Sequence, residues 1–416
     1  MRWQAHPVLA VCTTLGLWAA WALPVARVAP NRLLSGEPVF LSALLPGWAG
    51  WMVLPLIVLV FSPTNAPAPI PTVSGPGGLM DRWHPVTTLL LMAGLMAGLF
   101  WLVGRYAQQV TLTESRLART SLGAGFWSIL ALAWLASLDA VQHLTRSAVR
   151  RHAVMGGVAI PFVTLLVLGV GHDLSILKEY ANRDDVFWTA VRRHLQIVAV
   201  ATLPSVLLAL PLAWACSRFT RLRQAVFPLL NIIQTIPSIA LFGLFMAPLA
   251  WLALRFPALS QAGISGVGLA PAVLALVLYS LLPITRSALA GLDQVPEATQ
   301  TAARAMGMTD GQIFWRVELP LALPVLLPGL RTAVVQTIGL AAVTALVGAG
   351  GLGSLMFDGL FSAANDLVLL GVLPIVLLAM LVDALFKALI SFTRPAALLD
   401  DSPAVAPRAD AGRYTA

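Results

Sequence analysis

Apolar stretches of about 20 residues follow one another along most of the chain, separated by short polar breaks. Ten are long enough to span a bilayer: 7–26, 39–61, 86–103, 121–138, 153–170, 195–216, 225–248, 267–284, 331–347 and 367–388, and most carry no charge. A spanning helix needs roughly 20 mostly apolar residues. In hydrocarbon every backbone N–H and C=O must bond within its own segment, so these stretches predict helices. Strands of a membrane barrel would alternate polar and apolar positions, and these do not. The pattern therefore predicts an all-α polytopic membrane protein with about ten transmembrane helices.

The breaks divide the chain. Residues 62–78, SPTNAPAPIPTVSGPGG, are rich in Pro and Gly and read as a linker rather than a packed helix. Residues 171–194 are amphipathic and separate five N-terminal stretches from five C-terminal ones. This predicts an accessory half (1–170), a connector (171–194) and a core half. The polar tail, 394–416, reads as disordered.

Composition agrees with the hydropathy pattern. The 416 residues are 58% hydrophobic and only 11% charged, against about 25% charged in soluble domains. The formal net charge of +8 comes from scattered basic residues, which fits cytoplasmic loops and argues against nucleic-acid binding. Arg146, Arg150 and Arg151 cluster in one loop, and Arg218, Arg221 and Arg223 in another. Ten alternating helices put both loops on one side together with both termini, so the termini are expected in the cytoplasm. On the same count Arg116, Arg119, Arg192 and Arg193 face outward. The first stretch is long enough to span, so a retained helix is expected rather than a cleaved signal peptide. Cys12 and Cys216 lie in apolar runs with no metal-ligand spacing, and the six histidines show neither H-x-H nor HExxH spacing. No catalytic and no metal-binding residues are expected. Trp48, Trp51, Trp83 and Trp188 lie near expected helix ends, as interfacial anchors do.

One polar stretch stands out, TAARAMGMTDGQIFWRVELP at 301–320. Residues 297–306 are good helix formers after Pro296, and Gly307 sits where a left-handed residue closes a helix. Thr309 precedes Gln312 by three, the spacing of a capping box. The expectation is two short helices bent at Gly307 and pinned by Pro296 and Pro320, with the next membrane helix opening at Arg331. Such a unit is either an interfacial helix lying on the bilayer or a helix that docks into a groove of a soluble partner.

The spacing here resembles the cytoplasmic loop of ATP-binding-cassette (ABC) importer permeases: Glu-Ala-Ala, three residues, Gly, nine residues, Ile, one residue, Leu-Pro. Ala302, Ala303, Gly307, Leu319 and Pro320 match in register, Val317 stands for Ile, and Thr301 occupies the Glu position. Glu297 lies one helical turn before Thr301 and can present a carboxylate on the same face. NIIQTIPSIALFGLF (231–245), LYSLLPITRSALAGLDQVPEA (278–298), MGMTDGQIFWRVELPLALPVLLPGLRTAVVQTIG (306–339) and VGAGGLG (347–353) resemble the branch that imports glycine betaine and choline. The similarity covers about 187–387, and the first half resembles the N-terminally extended betaine permeases. The resemblance implies a type I ABC importer transmembrane domain at 187–391, built from the last five helices. It also implies a multi-pass subunit of the bacterial cytoplasmic (inner) membrane with a cytoplasmic C-terminus. Implied partners are a separate ATPase seated on the 297–320 loop, a periplasmic or extracellular solute-binding protein, a second permease copy or paralogue, and membrane lipid. No cofactor is implied on this chain, ATP being bound by the ATPase.

Other signals are weaker. GAGGLG at 348–353 fits the dinucleotide fingerprint, but it ends a membrane helix instead of joining a strand to a helix. There its glycines suit a tight bend and close helix approach. The only lysines, Lys178 and Lys387, follow Leu177 and Phe386, so no P-loop is encoded. Asn231, Gln234, Ser238 and Gln336 are polar residues inside apolar stretches. They either line a translocation path or hydrogen-bond neighbouring helices. Asp383 and Lys387 have the spacing of a structural ion pair. The alternative class is an ion-gradient-driven secondary transporter of small zwitterionic solutes, for which paired mid-membrane charges and an inverted repeat are expected. The sequence displays neither, nor the nucleophile–base pair of an intramembrane enzyme.

Overall fold

The computed structural model describes residues 7–31, 34, 36–45, 79–145 and 147–393. Among these, eight helices are long and apolar enough to cross a membrane. They are α3 (Leu79–Thr113), α4 (Ala124–Leu144), α5 (Ala148–Val167), α7 (Asp184–Arg218), α9 (Ser238–Arg255), α11 (Leu269–Asp293), the continuous stretch Asp310–Val347, and α16 (Asn365–Thr393). The first expected span is the shorter α1 (Pro7–Ala22). It ends ahead of Pro24, and the chain enters a strand, β1 (Ala26–Ala29). Of the second expected span, Val39 closes β2 (Glu37–Val39) and α2 (Leu41–Leu44) follows. Residues 46–61, the linker 62–78 and the tail 394–416 lie outside the described residues.

The described chain forms two compact units. The first comprises the residues through Ala201, Pro237–Leu276 and Thr337–Met380. Its N-terminal part packs α1, α3, α4 and α5 around Leu9, Met92, Met96, Ala133, Ala136 and Val158, all buried. A three-stranded antiparallel sheet, ordered β2-β1-β3 with β3 at Arg119–Leu122, adjoins this bundle. Ala26 of β1 is fully buried with Phe100, Phe126 and Leu174, so the sheet is anchored by apolar burial. Strands of three or four residues fall below a hydropathy pattern read over 20, and none was expected from it.

The expected connector, 171–194, has a defined structure. It comprises α6 (Ser175–Asn182) and the first turns of α7. Glu179 on α6 is buried, with Arg119 at 3.7 Å and Arg183 at 3.9 Å, so its charge is compensated. Ser121 Oγ of β3 donates to Asp366 Oδ2 in the first turn of α16 at 2.5 Å. That bond ties the sheet to the start of the last helix.

The glycine run makes the expected bend. Helix α14 (Leu319–Val343) ends in a 3₁₀ turn, Thr344–Val347, and Gly348, Gly350 and Gly351 all have positive φ. The bend leads into α15 (Leu352–Phe361), where a Cβ on Gly353 would lie 1.8 Å from the Ala342 carbonyl oxygen. Gly353→Ala is therefore expected to cost about 1–3 kcal/mol by overpacking. Thermal unfolding of the detergent-solubilised protein checks it; an unchanged midpoint would mean that the two helices do not approach this closely.

The second unit comprises Thr202–Ile236, Val277–Gln336 and the chain from Leu381. Ala209, Leu230, Ile284 and Ala333 form one buried cluster, and Ala213, Cys216, Ala288, Leu289 and Leu326 another. Many are small, as close packing between membrane helices requires.

Two expectations are corrected here. The expected span 225–248 is broken: α8 (Thr220–Thr235) ends, Ile236 is extended at φ −69°, ψ 130°, and Pro237 caps α9. Proline pushes the preceding residue out of the helical region, and it has no N–H to give. Conversely, the helix expected to stop at Pro320 continues. Helix α13 (Asp310–Ile313) passes through a π-helical stretch, Phe314–Glu318, directly into α14. The wider π turn takes up the missing donor and ring bulk of Pro320, which would otherwise strain the turn ending at Arg316. The membrane helix thus starts well before Arg331.

Candidate functional site

The 297–320 loop has a defined shape, and each bend has a local cause. Pro296 is the N-cap of α12 (Glu297–Ala305), one position earlier than the first-turn placement expected for it. At the other end Gly307 has φ +78°. Its N–H donates to the Arg304 carbonyl at 2.9 Å, and Met308 N–H to the Ala303 carbonyl at 3.2 Å. These two bonds make a Schellman motif, which needs a left-handed residue at Gly307. Two residues on, Gln312 N–H donates to Thr309 Oγ1 at 3.4 Å and Thr309 N–H to Gln312 Oε1 at 2.9 Å. The expected capping box is thus formed and restarts the chain as α13.

Within the loop, Ala303 and Ile313 are buried and form its inner side. Glu297, Thr301, Ala302, Gly307 and Pro320 are exposed, and Val317 and Leu319 are half-buried. Glu297 and Thr301 both lie on α12, so a carboxylate is present one turn from the position where the resembled motif has its acid. Met306 and Trp315 are 75% and 65% exposed. Neither was singled out from the sequence, yet two large apolar side chains on a polar loop form a contact surface. Arg304 and Asp310, 3.9 Å apart and both exposed, add little.

The loop is anchored from below. Arg218 Nη2, at the end of α7, donates to Glu318 Oε1 at 2.6 Å, and the Glu318 side chain is only 3% exposed. Trp214 packs edge-on against Phe314, ring centroids 6.4 Å apart. Neither partner on α7 was apparent from the sequence, because the two halves of the ion pair lie 100 positions apart.

The polar residues inside apolar stretches are placed as follows. Gln234 Nε2 donates to the Tyr279 carbonyl at 2.6 Å, which meets the helix-bonding reading for that residue. Asn231 is exposed and accepts from Arg286 Nη2 at 3.1 Å. Gln336 is half-buried in α14 of the second unit, whereas Ser238 opens α9 in the first. Arg286 was not singled out, because it lies two residues past the expected span 267–284; the structure brings it into α11, which runs on to Asp293. Asp383 and Lys387 pair at 2.7 Å as expected, and Arg331 joins them as a second cation on Asp383. Among the described residues no group of His, Cys, Asp and Glu is placed to hold a metal.

Residues 197–395 match the family described as "Binding-protein-dependent transport system inner membrane component", and residues 4–177 match "ABC transporter permease YehY, N-terminal domain". The "Osmoprotectant import permease protein OsmW" of Salmonella typhimurium is 41% identical over 197 residues, covering 47% of this chain and 86% of that protein. The "Glycine betaine/carnitine/choline transport system permease protein OpuCD" of Bacillus subtilis is 37% identical over 193 residues, covering 46% of this chain and 77% of that one. The MetNI methionine ABC transporter in an inward-facing conformation aligns over 50% of this chain and 97% of its own, at 24% identity and a TM-score of 0.42. The family match over the C-terminal half, the identity to these relatives and the separate match over the first half make the chain an ABC importer permease of the osmoprotectant family, carrying an N-terminal extension.

Proposed function

We propose that this chain is the membrane-spanning subunit of an ATP-driven importer for quaternary-ammonium osmoprotectants of the glycine betaine and choline class. It couples to a separate ATPase through the 297–320 loop. The observation that carries this reading is the loop itself. A Schellman end at Gly307 and a capping box at Thr309–Gln312 hold two short helical pieces at a fixed angle, with Thr301, Ala302, Met306 and Trp315 turned to solvent. A flexible loop would dissipate a push from a partner, whereas a rigid one transmits it to α14. Transport then follows from a two-state membrane element whose equilibrium the ATPase biases from one end.

In this reading ATP is bound and hydrolysed on the partner, solute arrives on a binding protein outside the membrane, and a second permease copy or paralogue completes the path. The C-terminus and the coupling loop lie in the cytoplasm. Residues 1–170 form an accessory domain of the permease. The relatives, an osmoprotectant importer and a glycine betaine/carnitine/choline system, support the substrate class.

Reconstitution of the permease with its ATPase and binding protein in proteoliposomes tests the proposal. Glycine betaine uptake is expected to require ATP and to be indifferent to an imposed proton or sodium gradient. Uptake driven by the gradient without ATP would instead establish a secondary transporter.

A further inference from the structure

Helices α8 and α11 line a groove of about 580 Å³ within the second unit. From α8 it takes Gln224, Phe227 and Pro228, and from α11 Arg286, Leu289 and Asp293. Spacings of three, four and seven place each set on one helical face. At one end Arg223 Nη1 meets Asp293 Oδ2 at 3.1 Å, so these two charges answer each other. At the other end Arg286 donates to the neutral Asn231 side chain. Among the described residues no carboxylate pairs with Arg286, and the groove is left with one uncompensated positive charge.

That arrangement is unusual for a membrane helix. Arg286 lies seven residues before the end of α11 at Asp293, about 10 Å along the axis. There Arg286 is exposed, on a helix long and apolar enough to cross a membrane. Ionisable groups at such positions are costly and mark pathways for polar solutes. A guanidinium has five N–H donors in a planar fork. The bond to Asn231 uses one and orients the rest, leaving donors that can grip a carboxylate through two parallel bonds. Phe227 supplies an aromatic ring in the same groove, the group that attracts a quaternary ammonium.

From this juxtaposition we infer that Arg286, held by Asn231, binds the carboxylate of a zwitterionic solute passing through the permease, so that the permease itself, and not only its binding protein, discriminates carboxylate-bearing solutes. The inference rests on the importer reading given above and names the substrate chemistry of its path.

Uptake of glycine betaine and of choline, which has the quaternary ammonium but no carboxylate, tests it in the reconstituted transporter. Losing a hydrogen bond to a charged group costs about 1.5–3 kcal/mol, or roughly tenfold or more. Arg286→Gln is therefore expected to lower the ratio of betaine to choline uptake by about tenfold or more. Asn231→Asp places a competing carboxylate against the guanidinium and should lower the ratio in the same direction, which keeps the test open if the first variant fails to fold. An unchanged ratio in both variants overturns the inference. So does a loss that is equal for the two solutes and follows the phosphatidylglycerol content of the vesicles, since the arginine would then serve a lipid headgroup. Wild-type uptake with ATP is the control on the importer reading, and only the variant-to-wild-type ratio decides Arg286.

Discussion

Arg218→Ala is expected to destabilise the permease by about 3–5 kcal/mol, the cost of leaving a buried carboxylate without its partner. Glu318 is almost wholly enclosed and accepts from Arg218 at 2.6 Å, so water cannot replace the guanidinium without opening the packing. The Arg218 side chain is 29% exposed, which places the expected cost toward the lower end of that range. The site magnifies the effect. Glu318 ends the π-helical stretch through which the loop passes into α14, and Arg218 ends α7. Losing the pair frees the foot of the loop from the helix that braces it. Denaturant titration of the detergent-solubilised protein reads the loss. The double variant Arg218→Met with Glu318→Leu separates the causes, because replacing both charges by apolar groups of similar volume removes the desolvation penalty along with the attraction. It is expected to recover most of the lost stability. If the single variant stays within about 0.5 kcal/mol of wild type, as surface substitutions do, Glu318 is not held as described.

How much of this was legible in the sequence depends on the range over which each feature is determined. Membrane helices are written in runs of about 20 residues, so α3, α4, α5, α7 and α11 could be read directly. Gly307 and the Thr309–Gln312 capping box were equally legible, since a cap is decided within a turn of its own backbone. What escaped was either too short or too long in range. Strands β1, β2 and β3 are a few residues each and owe their place to Phe100, Phe126 and Leu174 elsewhere in the chain. Pro320 announces a helix end by local rules, but a π turn absorbs it. The bonds from Arg218 to Glu318 and from Arg286 to Asn231 join residues 100 and 55 positions apart, and no spacing rule reaches that far. The sequence did identify Thr301 as a departure from the resembled motif. The structure adds that Thr301 and Glu297 are both exposed on one short helix.

Gly307→Pro is expected to abolish co-purification of the ATPase while leaving membrane insertion intact. The backbone at Gly307 has φ +78°, and a proline ring holds φ near −65°, so the substitution cannot be accommodated by small adjustments. It also removes the N–H that donates to the Arg304 carbonyl at 2.9 Å, one of the two bonds closing α12. Helices α12 and α13 then lose their fixed angle, and the exposed surface carrying Thr301, Ala302, Met306 and Trp315 is no longer presented as one piece. The spans of the hydropathy pattern are untouched, which is why insertion should persist. Gly307→Ala provides the graded control. Nothing lies within 4 Å of a Cβ at this position, so alanine meets no clash. It retains the N–H and bears only the left-handed conformation, about 1–2 kcal/mol. A weakened but measurable association is expected for alanine and none for proline. The readout is the ATPase retained on immobilised permease, normalised to permease recovered from the membrane fraction. If the proline variant retains the ATPase at wild-type level, the shape set by Gly307 is not what the partner grips, and the assignment of 297–320 as the coupling loop falls with it.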